Sequence, residues 1–235
     1  MSPVYDCTTD EGRAEGVTRA AEAVRAGHVV VLPTDTVYGV GADAFSAEAV
    51  ASVLAAKGRG REMPPPVLVP NARTVDGLAA DVPAWARDLI ARFWPGPLTL
   101  VLKAQPSLVW DLGDTNGTVA LRQPEDEVAL ALLEEVGPLA VTSANLTGQP
   151  PATTVTDAAA QLGAAVTVYL DGGPRTSNVP STIVDCTGES ATVLRQGAVS
   201  RAELDAVLHP AEESAEPDAI ELAEQPSTPQ ESSEP

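Results

Sequence analysis

Short apolar runs rich in β-branched residues alternate with helix-like segments along this chain. Residues 17–24 carry apolar side chains at helical spacing, Gly27 interrupts that pattern, and residues 29–32 read Val-Val-Val-Leu. A second helix-like segment begins after Ser46, and residues 67–69 again have the composition of a strand. Such alternation of helix and strand patterns predicts an α/β domain.

The rest of the chain continues the alternation and indicates a mixed sheet. Helices are predicted at residues 84–93, from Pro124 onward and after Ser200, which forms a candidate capping box with Glu203. Strands are predicted at residues 98–102, 118–121, 139–141, 166–170, 182–186 and 191–194. The last two strands are too close in sequence for a helical crossover, so the sheet should contain antiparallel as well as parallel pairs.

Basic residues are scarce. The chain has 14 Lys and Arg against 33 Asp and Glu, a net charge of −19. Residues 210–235 contain eight of these acids and no base, so removing them from the total leaves −11 on residues 1–209. We expect residues 1–209 to form one folded domain and residues 210–235 an acidic disordered tail. The charge also argues against broad affinity for nucleic acid or an anionic membrane.

Neither a membrane segment nor a metal centre finds support in the sequence. No stretch approaches the roughly 20 apolar residues that a membrane-spanning helix needs, and the first residues lack the basic and apolar parts of a secretory signal. We therefore expect a soluble, cytoplasmic protein. Cys7 and Cys186 match no zinc spacing, and His28 and His209 form neither a metal pair nor part of a triad. We expect no tightly bound, protein-ligated metal.

Short polar side chains and glycines follow the first predicted strand. Thr34, Thr36 and Tyr38 alternate, so on an extended backbone their hydroxyls would share one face and could hydrogen-bond a polar ligand. A polar loop that caps the sheet is an equally good interpretation. Residues 39–44 also fit G-x-G-x-x-G/A, but the next helix pattern begins only after this match, so a dinucleotide site is not favoured. A Walker P-loop is absent as well.

Two cations stand one residue apart at the end of the second predicted helix, as Lys57-Gly58-Arg59. On so acidic a background this pair suggests an anion site, although a solvated helix end explains it nearly as well. Ser143-Ala144-Asn145 ends a later strand and offers hydroxyl and amide groups. Ser143 lacks the G-x-S-x-G context of a nucleophile and is better cast as a hydrogen-bond donor, while Asn145 could instead cap a turn.

Six motifs occur in the order in which a known family carries them. They are Pro33-Thr34-Asp35-Thr36-Val37-Tyr38-Gly39, Lys57-x-Arg59 with Ser143-x-Asn145, Trp94-Pro95-Gly96-Pro97-Leu98-Thr99, Arg122-x-Pro124, Pro180-Ser181-Thr182-Ile183-Val184-Asp185 and Leu194-Arg195-x-Gly197. Over roughly residues 15–205 the chain thus resembles the YrdC/Sua5 family, whose short bacterial members are threonylcarbamoyl-AMP synthases. No single motif suffices, but the ordered set is specific.

This resemblance implies an open, twisted, mixed β-sheet with flanking helices around a large concave cavity, in a YrdC-like catalytic domain at residues 1–209. It implies a nucleotidyltransferase that converts L-threonine, bicarbonate and ATP to threonylcarbamoyl-AMP and pyrophosphate for t6A modification of tRNA. Mg²⁺ should arrive with ATP, since the reacting species are anions whose repulsion must be offset. Proteins of the TsaD, TsaB and TsaE type would receive the product, and direct tRNA binding should be weak or absent.

The resemblance also assigns roles to individual residues. The catalytic set would be Lys57, Arg59, Ser143 and Asn145. The threonine pocket would be lined by Thr34, Thr36, Tyr38 and Arg59. ATP would contact Lys57, Arg122, Ser143, Asn145, Ser181 and Arg195.

One departure from the family pattern lies beside the cation pair. The family more often has proline after Lys-x-Arg, whereas Gly60-Arg61 follows here, which predicts a more mobile loop with an added charge. Two other functions stay open: a YciO-like RNA-binding paralogue without synthase activity, and a carbamoyl-adenylating module of hydrogenase maturation. The net charge and the intact set of four residues speak against the first. The second normally lies within a much larger polypeptide.

Overall fold

The computed structural model describes residues 2–210, so the predicted tail lies, apart from Pro210, outside the described residues. The α-helices are α1 (Asp10–Arg25), α2 (Ala47–Lys57), α3 (Val75–Leu78), α4 (Ala84–Phe93), α5 (Glu127–Val136), α6 (Val155–Leu162) and α7 (Arg201–Leu208). The strands are β1 (Val4–Asp6), β2 (Val30–Leu32), β3 (Gly39–Asp43), β4 (Val67–Leu68), β5 (Ala79–Ala80), β6 (Leu98–Ala104), β7 (Thr118–Arg122), β8 (Leu139–Ser143), β9 (Val168–Asp171), β10 (Thr182–Asp185) and β11 (Thr192–Arg195). None of these helices is long and apolar enough to cross a bilayer.

The strands form one mixed, open sheet in the order β1-β9-β2-β3-β8-β4-β7-β6-β10-β11, with β5 paired to β6 outside this path. The β1–β9, β2–β9, β4–β7 and β6–β10 pairs are parallel. The β2–β3, β3–β8, β4–β8, β6–β7 and β10–β11 pairs are antiparallel. The antiparallel β10–β11 pair has the short connection that indicated a mixed sheet, so the predicted fold class is confirmed.

Helices cover both faces of the sheet. On β2, Val30 and Leu32 pack into a cluster with α1 and α5, whereas Val31 packs into another with α2 and α6. This division follows from the alternation of side chains along a strand. A third cluster brings β6, β7 and β10 together with α4 and α7.

Local chemistry fixes the ends of helix α2, which carries Lys57. The Ser46 side chain accepts a hydrogen bond from the Ala49 amide at the N-terminus of the helix. At the other end, Gly58 has φ 60° and ψ 42°, a left-handed conformation that glycine adopts at little cost. The helix therefore ends at Lys57, as the sequence predicts, and the chain changes direction before Arg59.

Strand β3 was not predicted from the sequence. Gly39 and Gly41 lie opposite Ser143 and Val141 in the antiparallel pair with β8. A β-carbon at Gly41 would lie 2.8 Å from the Ala140 carbonyl oxygen, so this close approach of two strands requires glycine. Because these glycines belong to a strand and no helix begins within them, the fingerprint match has no structural basis.

Two helices begin elsewhere than the sequence suggested. Helix α1 begins at Asp10, well before residue 17, and α5 begins at Glu127 rather than at Pro124. Asp126 explains the second difference, because its carboxylate accepts hydrogen bonds of 3.0 Å from two amides in the first turn of α5. Helix α7 has the predicted capping box. Strand β1 and helix α6 were not predicted.

Candidate active site

A cavity of about 450 Å³ lies against the central strands of the sheet. On β6, Leu100 packs into the core, while Thr99 and Val101 point to the opposite face and line the cavity. Most of the remaining lining comes from β4, β7, β8, β10 and β11 and from segments within residues 34–39, 64–66 and 112–115, and Arg59, Pro151, Pro180 and Ser181 complete it. Because segments distant in sequence form one wall, the cavity depends on the whole sheet being assembled.

Three arginines, Arg59, Arg122 and Arg195, line this cavity, and no described residue in its lining is acidic. Burial lowers the pKa of Arg195, and the charges of Arg122 and Arg59 lower that pKa further. Cations that repel one another in this way are stabilised when an anion lies among them. The cavity is therefore suited to an anionic ligand, although the chain as a whole is strongly acidic.

The four predicted catalytic residues lie together at the junction of the cavity with a smaller pocket of about 180 Å³. Arg59 and Ser143 line both spaces, and Lys57 and Asn145 line the smaller pocket. Lys57 Nζ donates to the carbonyl oxygens of Ser143 at 2.5 Å and Asn145 at 2.7 Å. Lys57 thus ties the end of α2 to the end of β8.

Burial shapes the chemistry of both cations at this junction. It lowers the pKa of Lys57 to about 8, and the charge of Arg59 adds to the effect. Burial also lowers the pKa of Arg59. Arg59 donates from Nη1 to Thr142 Oγ1 at 3.0 Å, but its buried Nε has no hydrogen-bond partner within the described part of the chain. Since an unpaired buried donor is costly, Arg59 is well placed to bind a ligand oxygen.

The predicted polar face around Thr34 is only partly formed. Thr34, Thr36 and Tyr38 all line the cavity, and the first two hydroxyl oxygens lie 3.1 Å apart. The Tyr38 hydroxyl instead lies 2.7 Å from the Gly173 carbonyl oxygen and 3.1 Å from Asp171 Oδ1. The backbone bends here instead of running extended. The expectation that all three hydroxyls share one face is therefore wrong for Tyr38.

Protein acceptors surround the guanidinium of Arg122. Its Nε donates to the Gly96 carbonyl at 3.0 Å, its Nη1 to Thr36 Oγ1 at 3.2 Å, and its Nη2 pairs with Asp35 at 2.5 Å. Burial lowers the pKa of Arg122, and the Asp35 carboxylate opposes this shift. Arg122 thus anchors the turn at residues 34–38, called the 34–38 turn below, and adds positive charge to the cavity wall.

Ser181 and Arg195 form a second polar patch in the lining. Arg195 Nη2 donates to the Ser181 carbonyl at 2.7 Å and to Ser181 Oγ at 3.1 Å. Ser181 Oγ also lies 2.9 Å from Thr99 Oγ1. These contacts join the start of β10 to β11 and β6, and they leave hydroxyl and guanidinium groups along one wall.

Some lining residues carried no signal in the sequence. Leu112 and Thr115 belong to the connection between β6 and β7 and reach the cavity from there. This connection holds the loop after α2, because the Asp114 amide donates to the Arg61 carbonyl at 2.9 Å and Arg61 pairs with Asp111 at 2.8 Å. The charge that Arg61 adds to this loop is paired with Asp111, and Arg61 is not part of the described cavity lining.

The fold and the cavity define an α/β protein with an arginine-lined cavity on a mixed sheet. A family model for Sua5_yciO_yrdC, described as "Telomere recombination", matches residues 22–197. The chain belongs to this Sua5/YciO/YrdC family, which confirms the resemblance drawn from the six motifs.

Related proteins are similar over nearly all of the described chain. A Mycobacterium tuberculosis protein named "Putative threonylcarbamoyl-AMP synthase" is 53% identical over 208 residues, which cover 88% of this chain and 96% of that protein. The structure of Pyrococcus abyssi Sua5 complexed with L-threonine is 32% identical with a TM-score of 0.83, and the match covers 88% of this chain and 61% of that one. Escherichia coli YciO is 25% identical with a TM-score of 0.77, over 85% of this chain and 98% of that one.

Proposed function

We propose that this protein is an L-threonylcarbamoyladenylate synthase, a nucleotidyltransferase that acts in t6A modification of tRNA. The observation that carries the proposal is the cavity of about 450 Å³ with three arginines and no acid in its described lining. Relatives named threonylcarbamoyl-AMP synthase support it, at 38% identity for the Bacillus subtilis protein and 53% for the Mycobacterium tuberculosis protein. The complex of Pyrococcus abyssi Sua5 with L-threonine supports the choice of amino acid.

The proposed reaction has two steps. The threonine amine combines with bicarbonate to give a carbamate and water. A carbamate oxygen then attacks the α-phosphorus of ATP, a bond to phosphorus forms as the bond to the leaving oxygen breaks, and pyrophosphate departs. Carbamate and triphosphate repel each other, so a site that holds both must supply positive charge and fix their orientation. No nucleophilic side chain is required.

We assign the side chains as follows. Arg59 and Lys57 stabilise carboxylate and phosphate oxygens, Arg59 by direct contact and Lys57 through its charge and its hold on the segment from Ser143 to Asn145. The threonine pocket is formed by Thr34, Thr36, Tyr38 and Arg59. The ATP site is formed by Lys57, Arg122, Ser143, Asn145, Ser181 and Arg195.

Magnesium would enter this site as a complex with ATP. Among residues 2–210, no group of three or more His, Cys, Asp or Glu side chains lies close enough together to hold a metal ion. The cavity lining offers hydroxyl and carbonyl oxygens but no carboxylate among the described residues. The ion would therefore be held mainly by phosphate oxygens of the nucleotide.

We further propose that residues 1–209 are the catalytic domain and that the protein acts in the cytoplasm. The product would pass to proteins of the TsaD, TsaB and TsaE type. Direct tRNA binding should be weak, because a net charge of −11 on residues 1–209 repels a polyanion.

Pyrophosphate release tests the proposal. Purified protein is incubated with MgATP, L-threonine and bicarbonate, and threonine and bicarbonate are then omitted in turn. We expect release only when all are present. Release that does not depend on threonine would refute the proposal. Release driven by a carbamoyl donor in place of threonine would favour the carbamoyl-adenylating alternative, and no release at all would favour the YciO-like one.

The same assay tests the assigned cation. Arg59→Ala should lower kcat/KM by at least about tenfold, which corresponds to about 1.4 kcal/mol of transition-state stabilisation. The exposed Arg73 provides a control, and Arg73→Ala should behave as wild type. Equal activity of both variants at equal thermal stability would show that Arg59 is a residue at the end of a helix with no catalytic role.

A further inference from the structure

Arg175 lies in the connection between β9 and β10, outside all six motifs, and its side chain is only 14% exposed. Its Nη1 donates to the Thr34 carbonyl at 3.1 Å and to Asp126 Oδ2 at 2.8 Å. Its Nη2 donates to the carbonyls of Gly172 and Gly173, and its Nε to Gly173 at 3.3 Å. We infer that Arg175 is a positioning residue that holds the 34–38 turn in its substrate-binding shape.

Arg175 reaches the 34–38 turn at two points. Besides its bond to the Thr34 carbonyl, its guanidinium carbon lies 5.5 Å from the centre of the Tyr38 ring. Both Thr34 and Tyr38 line the cavity, whereas Arg175 is not part of the lining. Arg122 holds the same turn through the Thr36 hydroxyl. The turn is thus fixed by one arginine from the cavity side and by another from behind.

Asp126 holds the Arg175 side chain in place. One carboxylate oxygen of Asp126 accepts from the Val128 and Ala129 amides in the first turn of α5, and the other accepts from Arg175. The Asp126 side chain is 11% exposed, so this ion pair is largely shielded from water. Removing the cation would leave a buried carboxylate without its partner, which is costly. The 34–38 turn is therefore connected to a helix terminus and not to a free loop.

The planar guanidinium of Arg175 carries several N–H donors that point in different directions, so all of these contacts can form at the same time. Three nitrogen atoms of Arg175 reach acceptors in three separate segments, at Thr34, Asp126 and the pair Gly172 and Gly173. A lysine ammonium is a single point and can keep the ion pair without spanning the rest. The Arg175 amide donates to the Thr153 carbonyl at 2.8 Å, and this backbone bond is independent of the side chain. A substitution should therefore loosen the turn without releasing the connection.

Binding of L-threonine measured by calorimetry tests this role, which rests on the proposed function. We expect Arg175→Met to raise the Kd for L-threonine by about tenfold and Arg175→Lys by about threefold. The KM for ATP should change less than the Kd for L-threonine, because Arg195 and Ser181 are fixed by their own bonds, while Arg122 of the proposed ATP site contacts the turn. Arg25→Met is the control, since Arg25 is also ion-paired but half exposed, and among the described residues its side chain bonds to Glu135 and not to residues 34–38.

Hydrogen exchange of a peptide covering residues 33–38 gives a readout that needs no activity. Exchange should be faster in Arg175→Met than in wild type or Arg25→Met, while a peptide covering residues 181–185 should exchange equally in all three. A lower melting temperature with unchanged threonine affinity and unchanged exchange at 33–38 would show a purely structural arginine and overturn the inference.

The two proposals fail in different ways. If the wild type neither binds threonine nor releases pyrophosphate, the proposed function is wrong, and exchange at 33–38 still decides whether Arg175 holds the turn. If the wild type is active and Arg175→Met keeps its threonine affinity, only the role of Arg175 is wrong. Should Arg175→Met fail to fold, Arg175→Lys carries the same comparison.

Discussion

The fold strongly perturbs the ionisation of Lys57 at the site. Burial and Arg59 lower its pKa from 10.5 to about 8, while its ammonium donates to the carbonyls of Ser143 and Asn145. Below pH 8 the lysine is charged in both the folded and unfolded states, so its desolvation cost is present in full. Between pH 8 and 10.5 the unfolded chain binds more protons, and the contribution of Lys57 to the free energy of unfolding rises with pH.

The lowered pKa of Lys57 predicts how the activity depends on pH. If the charge of Lys57 supports catalysis, kcat/KM should fall as pH rises through about 8. The sequence contains two lysines, Lys57 and the exposed Lys103, so NMR of ¹³Cε-labelled lysine can follow both in one titration. Lys103→Ala assigns the two signals. If the fall in kcat/KM with rising pH does not coincide with the Lys57 titration, the ionisation of Lys57 does not control catalysis.

The sequence predicts functional residues best where their residue type is rare in the chain. Lys57 and Arg59 could be found because cations are scarce here and because the surrounding motifs match a family. The sequence could not predict two other contacts. The Tyr38 hydroxyl donates a hydrogen bond to the Gly173 carbonyl, and Arg175 donates one to the Thr34 carbonyl. Each of these contacts joins segments far apart in sequence, and no local pattern encodes such a distance.

Strand β3 shows how an element can be hidden by its own glycines. Its pairing with β8 brings the backbones so close that a β-carbon at Gly41 would lie 2.6 Å from Val141 Cγ2 and 2.8 Å from the Ala140 carbonyl oxygen. Glycine lowers the strand signal in the sequence while being required by the strand in the fold. The strongly patterned elements, such as α2 and β6, were predicted from the same sequence without this conflict.

The crowding at β3 predicts the effect of one methyl group. Gly41→Ala should lower the free energy of unfolding by about 1–3 kcal/mol, because the new atom meets backbone that cannot move without disturbing β8. Gly77 in α3 is the matched control, since nothing lies within 4 Å of a β-carbon there. Gly77→Ala should be neutral or stabilise by up to about 1 kcal/mol. Urea unfolding of both variants measures the difference, and equal midpoints would contradict the close approach.

At the scale of the whole molecule, the acidic chain keeps a basic cavity because its acids lie outside the described lining, where Asp35 pairs with one lining arginine, Arg122. The net charge is −19, yet Arg59, Arg122 and Arg195 face the cavity without an acid in its described lining. Ion pairs such as that of Arg61 with Asp111 lie outside it. An anionic substrate would thus be repelled at long range and attracted only near the site. The long-range part is screened by salt, and the short-range part much less so.

This balance predicts the outcome of removing residues 211–235, which carry eight acids. The cavity is lined by residues between 34 and 195, and α7 already packs Leu204 into the core, so the shortened chain should fold with an unchanged melting temperature. Its net charge becomes −11, which weakens the repulsion of ATP. We expect the KM for ATP at low salt to be equal to or lower than that of the full chain, and the two values to converge by about 0.3 M salt, where the Debye length is about 6 Å. A lower kcat in the shortened chain at every salt concentration would instead show that residues 211–235 take part in the site, and the proposed boundary of the catalytic domain at residue 209 would then be wrong.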